Sequence, residues 1–250
     1  MKRKTRTRFF LVSASVLAAV FLLGVLGLPP LGHYRGPYGD VVNALTVPER
    51  HVTDAVTLVN FDVRGFDTLG EEYILFTSVM AVALLLRRQR DEPRRRHRDH
   101  APGRKGVEAS DAVRVVSLVL SGILVTFGIY VVTHGQLTPG GGFQGGVILA
   151  TAPLLMYVAG EFENFRRAVP RQLVHIAEAL GACGYGLIGL ATMAAGGAFL
   201  QNTLPFGTTG SIVSGGTIPL IDLSVGLEVS GGLAVLLIVY MEETLEHKEE

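Results

Sequence analysis

The sequence predicts an all-α polytopic membrane protein of six transmembrane helices, grouped as two plus four, with one amphipathic helix outside the membrane. Three observations carry that prediction. Six apolar runs each come close to the ~20 residues that cross ~30 Å of hydrocarbon. Of 250 residues 48% are hydrophobic, and charge is clustered mainly between the runs. Lysine and arginine crowd into alternate loops and avoid the others, as chains threaded across a bilayer do.

The first run, Phe9–Leu28, follows the basic flank Lys2, Arg3, Lys4, Arg6 and Arg8. It exceeds the ~7–15 residues of a signal-peptide core and ends in Leu28-Pro29-Pro30 with no small-x-small site, so we read a retained anchor. The second run is Leu69–Leu86, opened by Thr68 and Glu71 in capping-box spacing. Between these runs, Val41–Asn60 is moderately apolar but holds Pro48, Glu49, Arg50, His51 and Asp54. Charges at a helix centre cost ~2.5–3.5 kcal/mol each on insertion scales, so this stretch reads as surface chain with an amphipathic helix near Asp54–Asn60.

The remaining runs are Val113–Thr133, Phe143–Gly160, Leu173–Leu200 and Ile218–Met241. Tryptophan is absent, and Tyr34, Tyr38, Tyr73, Tyr130, Tyr157 and Tyr240 near the run ends supply the interfacial belt. Nine basic residues from Arg87 to Lys105 follow the second run, and Arg166, Arg167 and Arg171 follow the fourth. The loops Gly135–Gly142 and Gln201–Thr217 carry none. The charge bias therefore puts both termini and both basic loops in the cytoplasm. The expected organisation is a two-span module at 1–90, a basic cytoplasmic linker at 91–110, a four-span module at 111–245 and a short tail at 246–250.

No CxxC, HExxH, GKS/T phosphate loop or GxSxG elbow occurs, so no soluble-enzyme motif, cofactor site or metal site is implied. Net charge is zero, which gives no footprint for nucleic acid. Attention falls on ionisable residues inside apolar runs, which are costly there. Glu228 sits near the middle of Ile218–Met241 among small residues; proton or cation handling and helix-to-helix pairing both fit it. Asp222 lies ~9 Å away along an ideal helix and about 240° around it, so the two acids face different neighbours. Glu178 follows His175 by three residues, a pair suited to proton shuttling or to the headgroup level beside Arg171. Glu71 and Glu72 open the second run; capping accounts for one, and the other can point into the bundle. Glu161 and Glu163 pair locally with Arg166 and Arg167. The knot Thr138-Pro139-Gly140-Gly141-Gly142-Phe143-Gln144-Gly145-Gly146 leads straight into an apolar run. Its irregular backbone belongs at the water interface, against other helices or along a cavity, and Gly142-x-x-x-Gly146 offers close packing.

The stretch from His134-Gly135 through that knot, with Gly216-Thr217-Ile218-Pro219-Leu220 and Val225-Gly226-Leu227-Glu228-Val229, resembles the B subunit of Mrp-type multisubunit Na+/H+ antiporters, the MnhB family. The resemblance covers about 111–245. The stretch from Val59-Asn60-Phe61-Asp62 to Asp67-Thr68-Leu69-Gly70-Glu71-Glu72 is similar to the C-terminal part of the antiporter A subunit, which corresponds to the small E subunit of membrane-bound hydrogenases. The resemblance implies a plasma-membrane, non-catalytic subunit that assembles with A-, C-, D-, E-, F- and G-type partners and serves Na+ export in exchange for H+. It implies a place for Glu228, Glu71 and Asp67 on a cation path, with Asp222 where the family often carries a polar residue. No lysine lies within any run, in keeping with an accessory role.

Overall fold

The computed structural model describes residues 3–28, 36–86, 109–159 and 169–246. The described residues are helical and hold no strand. The arginine run from Arg87 to Lys105 and the residues Glu161, Glu163, Arg166 and Arg167 lie outside them, as does the tail beyond 246.

Two compact units emerge, 1–40 and 41–250. The first holds α1, Arg3–Leu26. Its apolar side chains from Leu11 to Leu26 are exposed on every side within the chain, the pattern of a helix whose solvent is hydrocarbon or another protein. Helix α2, Pro37–Thr46, crosses the division and begins with proline, whose fixed φ suits a first turn.

In the second unit, Asp54 caps the short helix α3, Ala55–Leu58, by accepting from the Val56 backbone N–H at 2.9 Å. A π-helical turn, Val59–Val63, carries the chain into α4, Gly65–Leu85. Helix α4 thus starts four residues before the expected Leu69, and the expected capping box does not form. Thr68 already lies in the first turn, where its hydroxyl donates to the Asn60 carbonyl at 2.7 Å. Helix α5, Asp111–Thr133, is capped by Ser110, which accepts from Val113 N–H at 3.4 Å.

Helices α6, Gly142–Ala159, α7, Arg171–Ala194, and α8, Ile218–Glu246, complete the unit. Helix α7 stops six residues short of the expected Leu200, where Gly196 adopts φ +87° and lets the chain turn out of the helix. Four helices, α4, α5, α7 and the Ile218–Met241 part of α8, are long and apolar enough to cross a membrane; Leu11–Leu26 and Gly142–Tyr157 are shorter apolar helices.

Helix α8 is the hub and packs on α4, α5, α6 and α7. Its neighbours alternate in direction. Gly142 and Gly146 of α6 meet Val225 and Val229 in the same order, so α6 and α8 run parallel. Gly181 and Glu178 of α7 meet Glu228 and Gly231 in reverse order, so α7 runs antiparallel. Two apolar clusters fill the bundle: one joins Leu58, Phe61, Leu69, Tyr185, Ile221 and Val225, and the other Val79, Val174, Ala234, Val235, Ile238 and Val239.

Candidate functional site

A layer of buried carboxylates separates these two clusters. On α4, Glu72 lies between Leu69 and Val79; on α7, Glu178 lies between Val174 and Tyr185; on α8, Glu228 lies between Val225 and Ala234. Each of the three is only 1% exposed. Backbone contact between α7 and α8 sets the geometry. A Cβ on Gly181 would lie 2.7 Å from Glu228 Cα and 2.5 Å from the Ser224 carbonyl. A Cβ on Gly231 would lie 2.5 Å from Glu178 N and 2.9 Å from its Cα. Glycine at both places lets the helices touch and sets the two glutamates at the crossing.

The acids bear on one another. Glu72 and Glu228 are side-chain neighbours, and Glu178 lies within electrostatic reach of Glu228. Carboxylates accept and do not donate, so two side by side satisfy each other only by sharing a proton. Consistently, both Glu228 oxygens, Glu72 Oε2 and Glu178 Oε1 are buried without a donor from the protein. The other oxygen of Glu178 lies 3.7 Å from His175 Nδ1, and Arg171 Nε donates to His175 Nε2 at 3.4 Å. Unpaired buried charge is among the costliest features a fold can hold.

Asp222 points elsewhere, as the six-residue offset from Glu228 requires. Its Oδ1 accepts the Gly142 backbone N–H at 2.7 Å, so an acid from α8 sits on the N-terminus of α6, where the helix dipole favours negative charge. The chain reaches that position through Gly140 at φ +146° and Gly141 at φ +119°, a conformation side chains resist. In the rest of the knot, Phe143 and Gln144 face outward and Gly145 and Gly146 are buried. Pro219 occupies the first turn of α8 without breaking it.

Beyond Asp222, three loops are stitched together. The Thr53 N–H donates to the Gln136 carbonyl at 3.0 Å, and the fully buried Gln136 side chain donates to the Ile212 carbonyl at 2.5 Å. Asn202 holds the start of α8, accepting from Thr217 N–H at 2.8 Å and donating to the Gly215 carbonyl at 2.9 Å. Arg50 pairs with Asp62 at 2.9 Å and lies over the Phe206 ring. Burial pushes the Asp62 carboxyl above its ordinary 3.8, against the pull of Arg50 and a hydrogen bond from Asn202.

Of the residues singled out in sequence, Glu228 and Glu178 meet in the layer and His175 stands at its edge. Glu71 and Asp67 do not join them. Glu71 is exposed on α4, and Asp67 is exposed and held by Arg64 at 2.5 Å. The resemblance implies Glu71, whereas it is Glu72 that is buried in the layer. The signal that finds it is helical spacing: Leu69, Glu72 and Val79 fall on one buried face at i, i+3 and i+10. Tyr185 was likewise missed; fully buried, it donates its hydroxyl to the Gly65 carbonyl at 2.8 Å and locks α7 to the start of α4.

Comparison with known proteins locates this architecture. The family described as a domain related to the MnhB subunit of Na+/H+ antiporter matches residues 112–235. An uncharacterized protein of Methanocaldococcus jannaschii is 31% identical over 234 residues, 88% of each chain. A chain in the structure of the membrane-bound sulfane sulfur reductase, an archaeal respiratory membrane complex, superposes with a TM-score of 0.71 at 31% identity, covering 94% of this chain and 97% of that one. A chain of the Mrp complex from Dietzia sp. DQ12-45-1b shares the fold with a TM-score of 0.70 at 24% identity, covering 96% of this chain and 26% of that one.

Proposed function

This chain belongs to the family related to the MnhB subunit of Na+/H+ antiporters, and from that premise we propose that it is a non-catalytic integral membrane subunit of an Mrp-type multisubunit cation/proton antiporter. Its partners are A-, C-, D-, E-, F- and G-type subunits, and the assembly exports Na+ in exchange for H+ across the plasma membrane. The chain spans the bilayer six times with both termini cytoplasmic. The alternating helix directions around α8 and the sorting of basic loops support that topology. The segment 1–90 is an A-subunit-like module joined to a B-subunit-like module. Alignment of single chains over 94% and 96% of this one supports the joining.

The observation that carries the functional reading is the Glu72–Glu178–Glu228 layer in the middle of the bundle. Three buried acids with no cationic side chain among them cost stability and contribute nothing to packing that leucine would not, so their use is to hold or pass an ion. Glu71, Asp67 and Asp222 stand away from the layer and serve the helix ends and the surface. The test is cation-dependent collapse of ΔpH in everted vesicles that carry the complete set of subunits and lack native antiporters. Glu228→Gln is expected to assemble on a native gel and to lose exchange. An assembled Glu228→Gln complex that exchanges normally would overturn the ion-path reading in favour of a sealing role, in which the amide replaces the acid as a helix contact.

A further inference from the structure

We propose that the ion held by this layer is the proton, and that it arrives from the N-terminal end of α7 through His175, which hands it to Glu178. The proposal rests on the ion-path reading above and adds the ion and the port.

The groups that face the layer are few. Among the described residues, from α4 comes Glu72, with Glu71 exposed on the adjoining position; from α8 comes Glu228; from α7 come Glu178, His175, Arg171 and Tyr185. Among the described residues, no three acidic, histidine or cysteine side chains converge in a group that could hold a metal ion. The acids are strung from helix to helix, an arrangement that passes a proton between neighbours and does not gather oxygens around a cation. Exposure falls steeply along the string: the His175 side chain is 38% accessible and that of Glu178 2%. His175 is thus the last group that water reaches before the buried acids.

The imidazole is oriented for transfer. Arg171 has only donors to offer, so the His175 Nε2 that it contacts is the accepting nitrogen and Nδ1 carries the hydrogen. That nitrogen lies 3.7 Å from Glu178 Oε2. A proton arriving at Nε2 displaces the Arg171 hydrogen bond; Nδ1 releases its own proton to the Glu178 carboxylate as the gap closes by rotation or through one water. The ring ends neutral and Glu178 ends as the acid, with charge and hydrogens conserved. Glu178 then shares its proton with Glu228, and Glu228 with Glu72, each transfer exchanging an acid for a carboxylate. Placed by the basic residues around Arg171, the port opens to the cytoplasm.

The experiment compares the complete complex in everted vesicles with His175→Ala and Glu228→Gln forms. His175→Ala is expected to assemble and slow exchange about 10²-fold, the lower bound for a positioned proton donor, and added imidazole is expected to restore much of the rate. An assembled His175→Ala complex that keeps its rate, or one whose lost rate imidazole does not restore, overturns the port. If His175→Ala keeps its rate while Glu228→Gln loses exchange, the port fails and the ion path stands; if Glu228→Gln is also normal, both fail. Should His175→Ala not assemble, the unaltered complex decides. Dicyclohexylcarbodiimide, which attacks protonated carboxyls in apolar surroundings, is applied with and without Na+, and labelled peptides are read by mass spectrometry. Labelling of Glu178 and Glu228 that Na+ leaves undiminished supports the proposal; labelling that Na+ suppresses, or none at all, overturns it.

Discussion

Gly181→Ala tests whether the contact of α7 with α8 is as close as the bundle requires. A methyl at this position would sit 2.7 Å from Glu228 Cα, where carbon atoms rest at about 3.5 Å or more, so the helices must part by about 0.8 Å. The neighbouring atoms are backbone and cannot rotate away. Overpacking of this kind costs ~1–3 kcal/mol. Alanine also favours a helix over glycine by ~1 kcal/mol, which a fair comparison must remove. Gly122→Ala does that: nothing lies within 4 Å of its Cβ position, so it gains the propensity and meets no clash. The two variants should therefore differ by ~1–3 kcal/mol, or several degrees in melting midpoint at about 2–4 °C per kcal/mol. Far-UV circular dichroism of the purified chain in detergent micelles reads both. A Gly181→Ala melting point equal to that of Gly122→Ala would refute the claim that backbone contact fixes the carboxylate layer.

Other outcomes follow from the same coordinates. Asp222→Asn keeps an acceptor for the Gly142 N–H but loses the charge that the α6 dipole favours, so it should cost up to ~1 kcal/mol, and Asp222→Ala more; melting midpoints of the pair give the order. Tyr185→Phe leaves the Gly65 carbonyl without its donor in the core and should destabilise by ~1–3 kcal/mol, with faster amide exchange in the first turn of α4. Asp62 titrates higher in the folded chain than its ordinary 3.8, so the folded state binds more protons in that window. Its contribution is therefore fully present below pH 3.8 and is lost as pH rises through the raised value; Asp62→Asn should flatten that part of a stability-against-pH curve.

How much of this was legible in the sequence differs from residue to residue. Glu228 announced itself as an acid in the middle of an apolar run flanked by small residues, and its separation from Asp222 followed from helix geometry. Gly142 and Gly146 carried the spacing of a close helix contact, and that face meets Val225 and Val229. The choice between Glu71 and Glu72 depended on where α4 begins. A π-helical turn at Val59–Val63 moves that start to Gly65, and nothing in residue composition marks a π turn. Thr68 then lies within the first turn of the helix and the capping explanation lapses, while Glu72 is buried and its neighbour exposed. Gly181 and Gly231 carry no distinguishing mark in the sequence, because their partners are backbone atoms of another helix. Asp67 had a local partner three residues upstream, Arg64, that could have been read directly.

The position of α8 after α4 and α7 in the chain bears on how the bundle is made. Helices α4 and α7 precede Ile218, so Glu72 and Glu178 are synthesised before the helix that covers them. A nascent chain halted between residues 195 and 217 carries Glu72 and Glu178 without α8, and leaves open the glycine face of α7 that Glu228 closes. Synthesis of α8 and concealment of the acids on α4 and α7 become a single event.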